Sequence, residues 1–242
     1  MSEQMLAHDF DMQSKEYECE KAEKKQKLVR GEFSGTGYFG IPLVKKQNID
    51  INKIELWGYT KAKANDEELK HKTIHFFTYD WKFESVFEKP EQALEKLDGY
   101  YALLTPEFST YKDMPLAVQL WSTFKNRWCG AFWQKQGMRV IPTIAWGTPP
   151  SFNFCFDGVE QNATVAVSTY GSENNERGFM AGYNKMLEVL RPSAIICYGE
   201  PFDNMKGNVK FISPYDKEEL IKKLGMSEFA KRYMEGTLYP SN

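Results

Sequence analysis

Three carboxylates in this chain stand where general acid–base chemistry would need them. Asp80 in Tyr79-Asp80-Trp81, Glu107 in Thr105-Pro106-Glu107-Phe108-Ser109 and Glu200 in Tyr198-Gly199-Glu200 each follow a short apolar run. Two carboxyl groups sharing a cleft can act as proton donor and proton acceptor when their surroundings hold their pKa values apart. Trp146-Gly147 and Ser168-Thr169-Tyr170-Gly171 occupy equivalent positions and add hydroxyls and aromatic rings. Aromatic walls with a few fixed polar groups suit a polar ligand with a flat face, such as a sugar, a nucleobase or a nucleotide. Asp80, Glu107 and Glu200 are therefore the catalytic candidates. Trp146, Ser168, Thr169 and Tyr170 belong to the expected binding rim.

Other chemistries find little support. His75 alternates with Ile74 and Phe76 along an apolar run, His8 and His71 lie in charged segments, and no histidine or cysteine spacing suggests zinc. A Ser-His-Asp site would have to recruit His75, and neither G-x-S-x-G nor a Walker-type loop occurs. Gly35-Thr-Gly37-Tyr-Phe-Gly40 matches G-x-G-x-x-G, but a charged segment precedes it and Pro42 follows, so the strand and helix of a dinucleotide site are missing. No cofactor and no metal are expected. Arg127 and Gln134, seven residues apart on one predicted helix stripe, could together hold a phosphate or carboxylate. More commonly such an arginine spreads its stem over apolar surface and pairs with an acid. Trp133, on the same helix, is expected near the rim as a ligand-binding residue with Trp146.

These residues need elements to place them. Tyr101–Thr105 and Arg139–Ala145 read as buried strands on either side of a helix that starts near Asp113-Met114-Pro115 and stops at Gly137. Leu116, Leu120, Phe124, Trp128 and Phe132, flanked by Ala117, Trp121 and Ala131, predict a wide apolar face covering a sheet. Strand, helix, strand implies parallel pairing. Further strands are predicted at Ile54–Tyr59, Ile74–Asp80, Thr164–Thr169, Ala194–Tyr198 and Val209–Ser213, with helices after Pro90, around Phe179–Leu190, and at Lys217–Leu224 and Ser227–Met234. The alternation argues for α/β with a mostly parallel sheet. A barrel-like or broken (β/α) barrel is expected, with Tyr38–Val44 available as an eighth strand; an open doubly wound sheet is the alternative. In both, function belongs at the carboxyl ends of the strands.

Composition narrows the class. At 242 residues, 42% hydrophobic and 15% aromatic, the chain can bury a sizeable core. Residues 1–34 form a charged tail or frayed helix, leaving 35–242 as one α/β domain. No apolar run approaches the ~20 residues of a membrane span, and the amino-terminal stretch lacks the apolar core of a signal peptide, so a cytoplasmic location is expected. Cys19, Cys129, Cys155 and Cys197 are scattered and read as thiols. A net charge of −2 with no basic stripe in the folded part argues against nucleic acid. The expected partner is a small polar ligand or, in a rival class, a host protein gripped by an exposed aromatic loop at Ser151–Phe156.

Arg127-Trp-Cys-Gly-Ala-Phe-Trp-Gln134, continuing through Gly137 and Val140-Ile-Pro-Thr143 to Trp146, and Ser151-Phe152 with Phe154-Cys-Phe-Asp-Gly158, resemble a domain-of-unknown-function family of prophages and mobile elements in Gram-positive bacteria. The resemblance takes in TPEFSTYKDMP and VAVSTYG and covers roughly residues 38–200. It places the family motif on Arg127, Gly130, Trp133, Gln134, Trp146, Phe154, Asp157, Gly158, Ser168 and Thr169. Glu107 departs from the aspartate expected there and keeps the charge. What the resemblance implies is a mobile-element origin and life in a bacterial cytoplasm; it supplies no reaction. Asp157 is expected either to make a local turn or to reach Arg127 and the rim.

Overall fold

The computed structural model describes Lys15 and residues 17–22, 24, 25, 27–236 and 238–240. The chain divides into two compact units, 1–34 and 35–242. In the first, the described residues between 15 and 29 are helical and exposed, with the ion pairs Lys21–Glu18 at 3.3 Å and Lys24–Glu20 at 2.6 Å along the helix.

The second unit opens with a hairpin, β1 (Gly35–Thr36) antiparallel to β2 (Ile41–Pro42). Gly37 and Gly40 have positive φ, and a Cβ on Gly35 would meet the Gly40 backbone at 2.7 Å, so these glycines serve a tight turn. Next come β3 (Leu56–Gly58), β4 (Thr73–His75), α1 (Ser85–Glu88), α2 (Pro90–Leu97), β5 (Ala102–Leu104), α3 (Leu116–Lys135) and β6 (Val140–Ile141). The four strands pair in parallel in the order β3-β4-β5-β6. β7 (Thr164–Ser168), α4 (Glu176–Leu190), β8 (Ala194–Tyr198) and β9 (Val209–Ile212) follow, with β7-β8-β9 again parallel. α5 (Lys217–Leu224), held by an Asp216–Glu219 capping box, and α6 (Met226–Met234) end the fold.

A parallel bridge between Thr143 and Ala166 joins the two sets of strands, through Ile144 N–H to Ala166 O at 2.8 Å and Ala166 N–H to Pro142 O at 2.9 Å. Strand order then runs from β3 to β9 without reversal. A doubly wound sheet reverses its order at a switch point; this sheet winds one way and curls. Leu56, Ala102, Leu104, Ile141, Ala166, Ile196, Tyr198 and Ile212 pack with Phe77 inside the curl, uniting residues of β3 and β9 in one cluster. Outside it, Val165, Val167, Ile195 and Cys197 pack against Phe179, Tyr183, Met186 and Leu190 of α4.

The barrel does not close. Among the described residues β3 and β9 share no backbone pairing. Lys210 of β9 spans the seam instead, its ammonium donating to Ile54 O at 2.8 Å and Asn52 O at 3.2 Å. Tyr38–Val44 does not supply the eighth strand: it forms the hairpin, and Val44 pairs singly with Val159. Pro42 has no N–H for a ladder. The carboxyl-terminal segment takes the place beside β9, where Tyr239 bridges Ile212 in parallel and accepts Ser213 N–H at 2.8 Å.

The face of α3 also differs from expectation. Trp128, Ala131 and Phe132 are buried as the apolar period requires, but the first half buries Gln119, Ser122, Thr123, Asn126 and Arg127 and leaves Leu116, Val118 and Trp121 more than 40% exposed. This half of the helix lies on the carboxyl ends of β5 and β6, where strand carbonyls have run out of ladder partners and need donors. Pro115 precedes the helix in extended conformation with no side-chain cap, so Asp113 does not cap it.

Gly130 marks the closest approach of α3 to the sheet. A Cβ there would stand 2.7 Å from both Thr105 Cγ2 and Val44 Cγ2, on residues with no exposed surface. Gly130→Ala should therefore lower stability by about 1–2 kcal/mol net, although alanine is the better helix former. The urea midpoint at unchanged m-value reads this directly.

Candidate functional site

The mouth of the curled sheet is built from the turns that follow the strands. After β4, Asp80 opens a single 3-10 turn, and its carboxylate accepts Ser109 N–H at 3.0 Å and Ser109 Oγ–H at 2.8 Å. The loops after β4 and β5 are tied together by this pair of bonds. Glu107 lies two residues before Ser109, half-buried. Burial, reinforced by the charge of Asp80, pushes its carboxyl pKa up to about 8. One carboxyl of the pair thus carries a proton at neutral pH, while the other is presented with two donors.

An aromatic floor lies in the same mouth. The His75 ring stacks on Phe77 at 5.4 Å and meets Tyr198 at 4.8 Å, and Phe77 stacks on Tyr198 at 4.7 Å. Half-exposed Tyr170 stands edge-on to Tyr198 at 5.9 Å. Burial first, then the neighbouring Tyr170 and Tyr215, raise the Tyr198 phenol to about 12, so it stays a donor. Ser168 ends β7 with its hydroxyl 3.4 Å from Tyr170 O, and Thr169 Oγ1 donates to Glu200 O at 2.7 Å. The Glu200 carboxylate is engaged by Arg232 at 3.1 Å and by Ser213 Oγ at 3.5 Å.

Behind the mouth a buried polar network locks α3 to the strand ends. Asn126 Nδ2 donates to Pro106 O at 2.7 Å and Thr143 O at 3.2 Å, while its Oδ1 accepts from Thr105 Oγ1 at 2.8 Å and from Arg127 Nη1. Arg127, 1% exposed, donates further to Thr143 O at 2.8 Å, Cys155 O at 2.9 Å and Asp157 O at 3.1 Å. Burial lowers its pKa to about 10, against the opposing influence of Cys155 and Asp157. A void of about 10 Å³ beside it, room for about one water, is walled by Ser122, Thr123 and Phe108.

The structure therefore brings Asp80, Glu107, Ser168, Thr169, Tyr170 and Glu200 to one end of the strands. Arg127, Trp133, Gln134 and Asp157 lie in the outer layer. Trp133 is fully buried and stacks on Phe76 at 5.6 Å. Gln134 clamps the Lys45 backbone through bonds of 2.9 and 2.7 Å. Trp146 packs on Phe179 at 5.2 Å, over Gly182, where a Cβ would stand 2.2 Å from its indole nitrogen. Asp157 offers its backbone carbonyl to Arg127; its half-buried carboxyl points at Gly37, and burial raises its pKa more than Arg127 lowers it. Phe154, Cys155 and Phe156 are buried in the core beside α4 rather than exposed as a patch. Sequence reasoning left out Asn126 and Gln119, although the polar stripe Gln119-Ser122-Thr123-Asn126-Arg127 has helical spacing and marks a buried polar face. It also gave His75 no part in binding. A groove of about 400 Å³ lies at the opposite, amino-terminal end, lined by Lys46, Gln47, Asn162 and Ser193. Among the described residues no group of three or more His, Cys, Asp or Glu is placed to hold a metal ion, and no helix is long and apolar enough to cross a membrane.

A family model described as Domain of unknown function (DUF4417) matches residues 33–216. The Gene 1 protein of Mycobacterium phage D29 is 43% identical over 129 residues, 52% of this chain and 48% of its own length. The Gene 1 protein of Mycobacterium phage L5 is 41% identical over 176 residues, 71% of this chain and 76% of its own length. The chain thus spans about half of the D29 relative. No solved structure matches it.

The Glu107 environment predicts a pH signature. Its folded pKa near 8 exceeds the ordinary 4.5, so the folded state holds a proton that the unfolded state has lost between these values. Its contribution is complete below about pH 4.5 and disappears as pH rises to about 8. Relative to Glu107→Gln, wild type should lose stability across this window, with a slope of at most about 1.4 kcal/mol per pH unit. Chemical denaturation of both proteins at several pH values measures the difference. A constant difference would show that Glu107 ionises normally.

Proposed function

The chain belongs to the DUF4417 family of domains of unknown function, and on that premise we propose that it binds a nucleotide- or sugar-like polar ligand at the carboxyl-terminal mouth of its parallel strands. The observation that carries this reading is the placement of the Asp80–Glu107 carboxyls and of the packed His75, Phe77 and Tyr198 rings at the same, carboxyl-terminal end of the strands. Stacking area supplies affinity for a flat or ring-shaped group, and the carboxyls fix hydroxyl or amino groups on it. Catalysis would use Glu107 as proton donor and Asp80 as acceptor, the division of labour that a separated carboxyl pair allows. Glu200, already engaged by Arg232 and Ser213, would position rather than react.

A host protein as partner is the second reading. Ser151–Phe156 does not serve it, because two of its three phenylalanines are core residues. Tyr79 and Trp81 do: they stack at 4.3 Å, and Trp81 is 71% exposed.

Thermal denaturation with nucleosides, nucleotides and sugar phosphates separates the two. A ligand at 100-fold over its dissociation constant adds about 2.7 kcal/mol, roughly 5–10 °C for a chain of this size. At least one of these classes should reach that shift. The absence of any shift across all three would remove the ligand reading and leave the protein partner.

A further inference from the structure

His75 is the last residue of β4 and faces Gly58, the last residue of β3, across the parallel pair. Its Nδ1 lies 3.2 Å from the Phe77 N–H and accepts from it. A ring nitrogen that accepts carries no proton, so the neutral imidazole places its hydrogen on Nε2. The ring packs against both Phe77 and Tyr198, which stack on each other. Burial, with Lys61 nearby, lowers its pKa to about 3 and keeps it neutral. Among the described residues Nε2 has no hydrogen-bond partner. It borders Gly58 instead, where a Cβ would stand 3.6 Å from it, in ordinary contact. A side chain that extends beyond Cβ at position 58 would cover this edge; glycine leaves it open. An oriented, neutral donor on an uncovered edge of an aromatic floor is what a binding site presents to an acceptor atom.

We propose that His75 reads the ligand: its Nε2–H, uncovered by Gly58, donates to a carbonyl oxygen or unprotonated ring nitrogen of a nucleobase lying in the mouth. This rests on the ligand reading above and narrows it from nucleotide- or sugar-like compounds to nucleosides. The Phe77 and Tyr198 rings packed against the imidazole suit the flat face of a base. The groups facing the imidazole are Phe77 and Tyr198 from neighbouring positions of the sheet and Lys61 from the turn after β3.

The test uses the full chain, with adenosine, guanosine, cytidine and uridine as probes. His75→Phe keeps a ring against Phe77 and Tyr198 and removes the donor. Gly58→Leu keeps the donor and covers it, while Gly58→Ala leaves it open. At least one nucleoside should bind wild type and Gly58→Ala alike, and bind His75→Phe and Gly58→Leu about tenfold more weakly. Histidine-selective nitrogen-15 spectra of the free wild type should show His75 as the Nε2–H tautomer throughout about pH 5 to 8. An Nδ1–H tautomer, or titration within that window, overturns the proposal. So does a nucleoside that binds wild type and His75→Phe equally, which leaves the ligand reading intact. A shift from sugar phosphates with none from nucleosides overturns the nucleobase assignment alone, and silence from every class overturns both.

Discussion

The fold depends on one buried cation, Arg127, to which no carboxylate among the described residues is hydrogen-bonded. Arg127 spends its guanidinium on the carbonyls of Thr143, Cys155 and Asp157 and on the Asn126 side chain. These carbonyls belong to the end of β6 and to the segment that replaces a helix between β6 and β7. Thr143 O also accepts from Asn126, but the Cys155 and Asp157 carbonyls would otherwise lack this donor, a cost of about 1–3 kcal/mol apiece. A buried charge is tolerated where several oriented dipoles converge on it, and this arrangement also fixes geometry. Asn126 extends the network to Thr105 and Pro106, so α3 holds the carboxyl ends of β5 and β6 in one relative position.

The mouth inherits its shape from that lock. Glu107 follows Pro106 by one residue, and Ser109, which binds Asp80, lies two further on; the loop that carries Glu107 and holds Asp80 therefore starts from an anchored carbonyl. Close packing tightens the same region: Gly130 lets α3 touch Thr105 and Val44, and Gly182 lets Trp146 lie against α4. Side chains held by several bonds and by packing keep their positions when a ligand arrives, which lowers the ordering cost of binding.

Much of the architecture was legible in the residues. The alternation of apolar runs with helical segments and the strand-end positions of Asp80, Glu107, Ser168 and Glu200 follow from period and punctuation, and the resemblance carried by Arg127–Trp146 pointed to the family whose model matches the chain. The face of α3 was not legible, because apolar period alone points to Leu116 and Trp121. What decides the face is the unmet carbonyls of strands distant in sequence, and the amide and guanidinium groups that reach them. Arg127, Trp133 and Gln134 show the same limit: their spacing is striped, but whether a stripe faces a ligand or a neighbouring strand depends on the partner. The role proposed for His75 is hidden for a related reason, since it depends on a glycine on another strand that leaves the imidazole edge uncovered.

Amide chemical-shift mapping with the nucleoside that most stabilises the protein tests the central claim most directly. The account predicts shifts concentrated on 75–80, 107–109, 168–170 and 198–200, the turns that form the carboxyl-terminal mouth. Shifts concentrated instead on Lys46, Gln47, Asn162 and Ser193, at the amino-terminal groove, would contradict it.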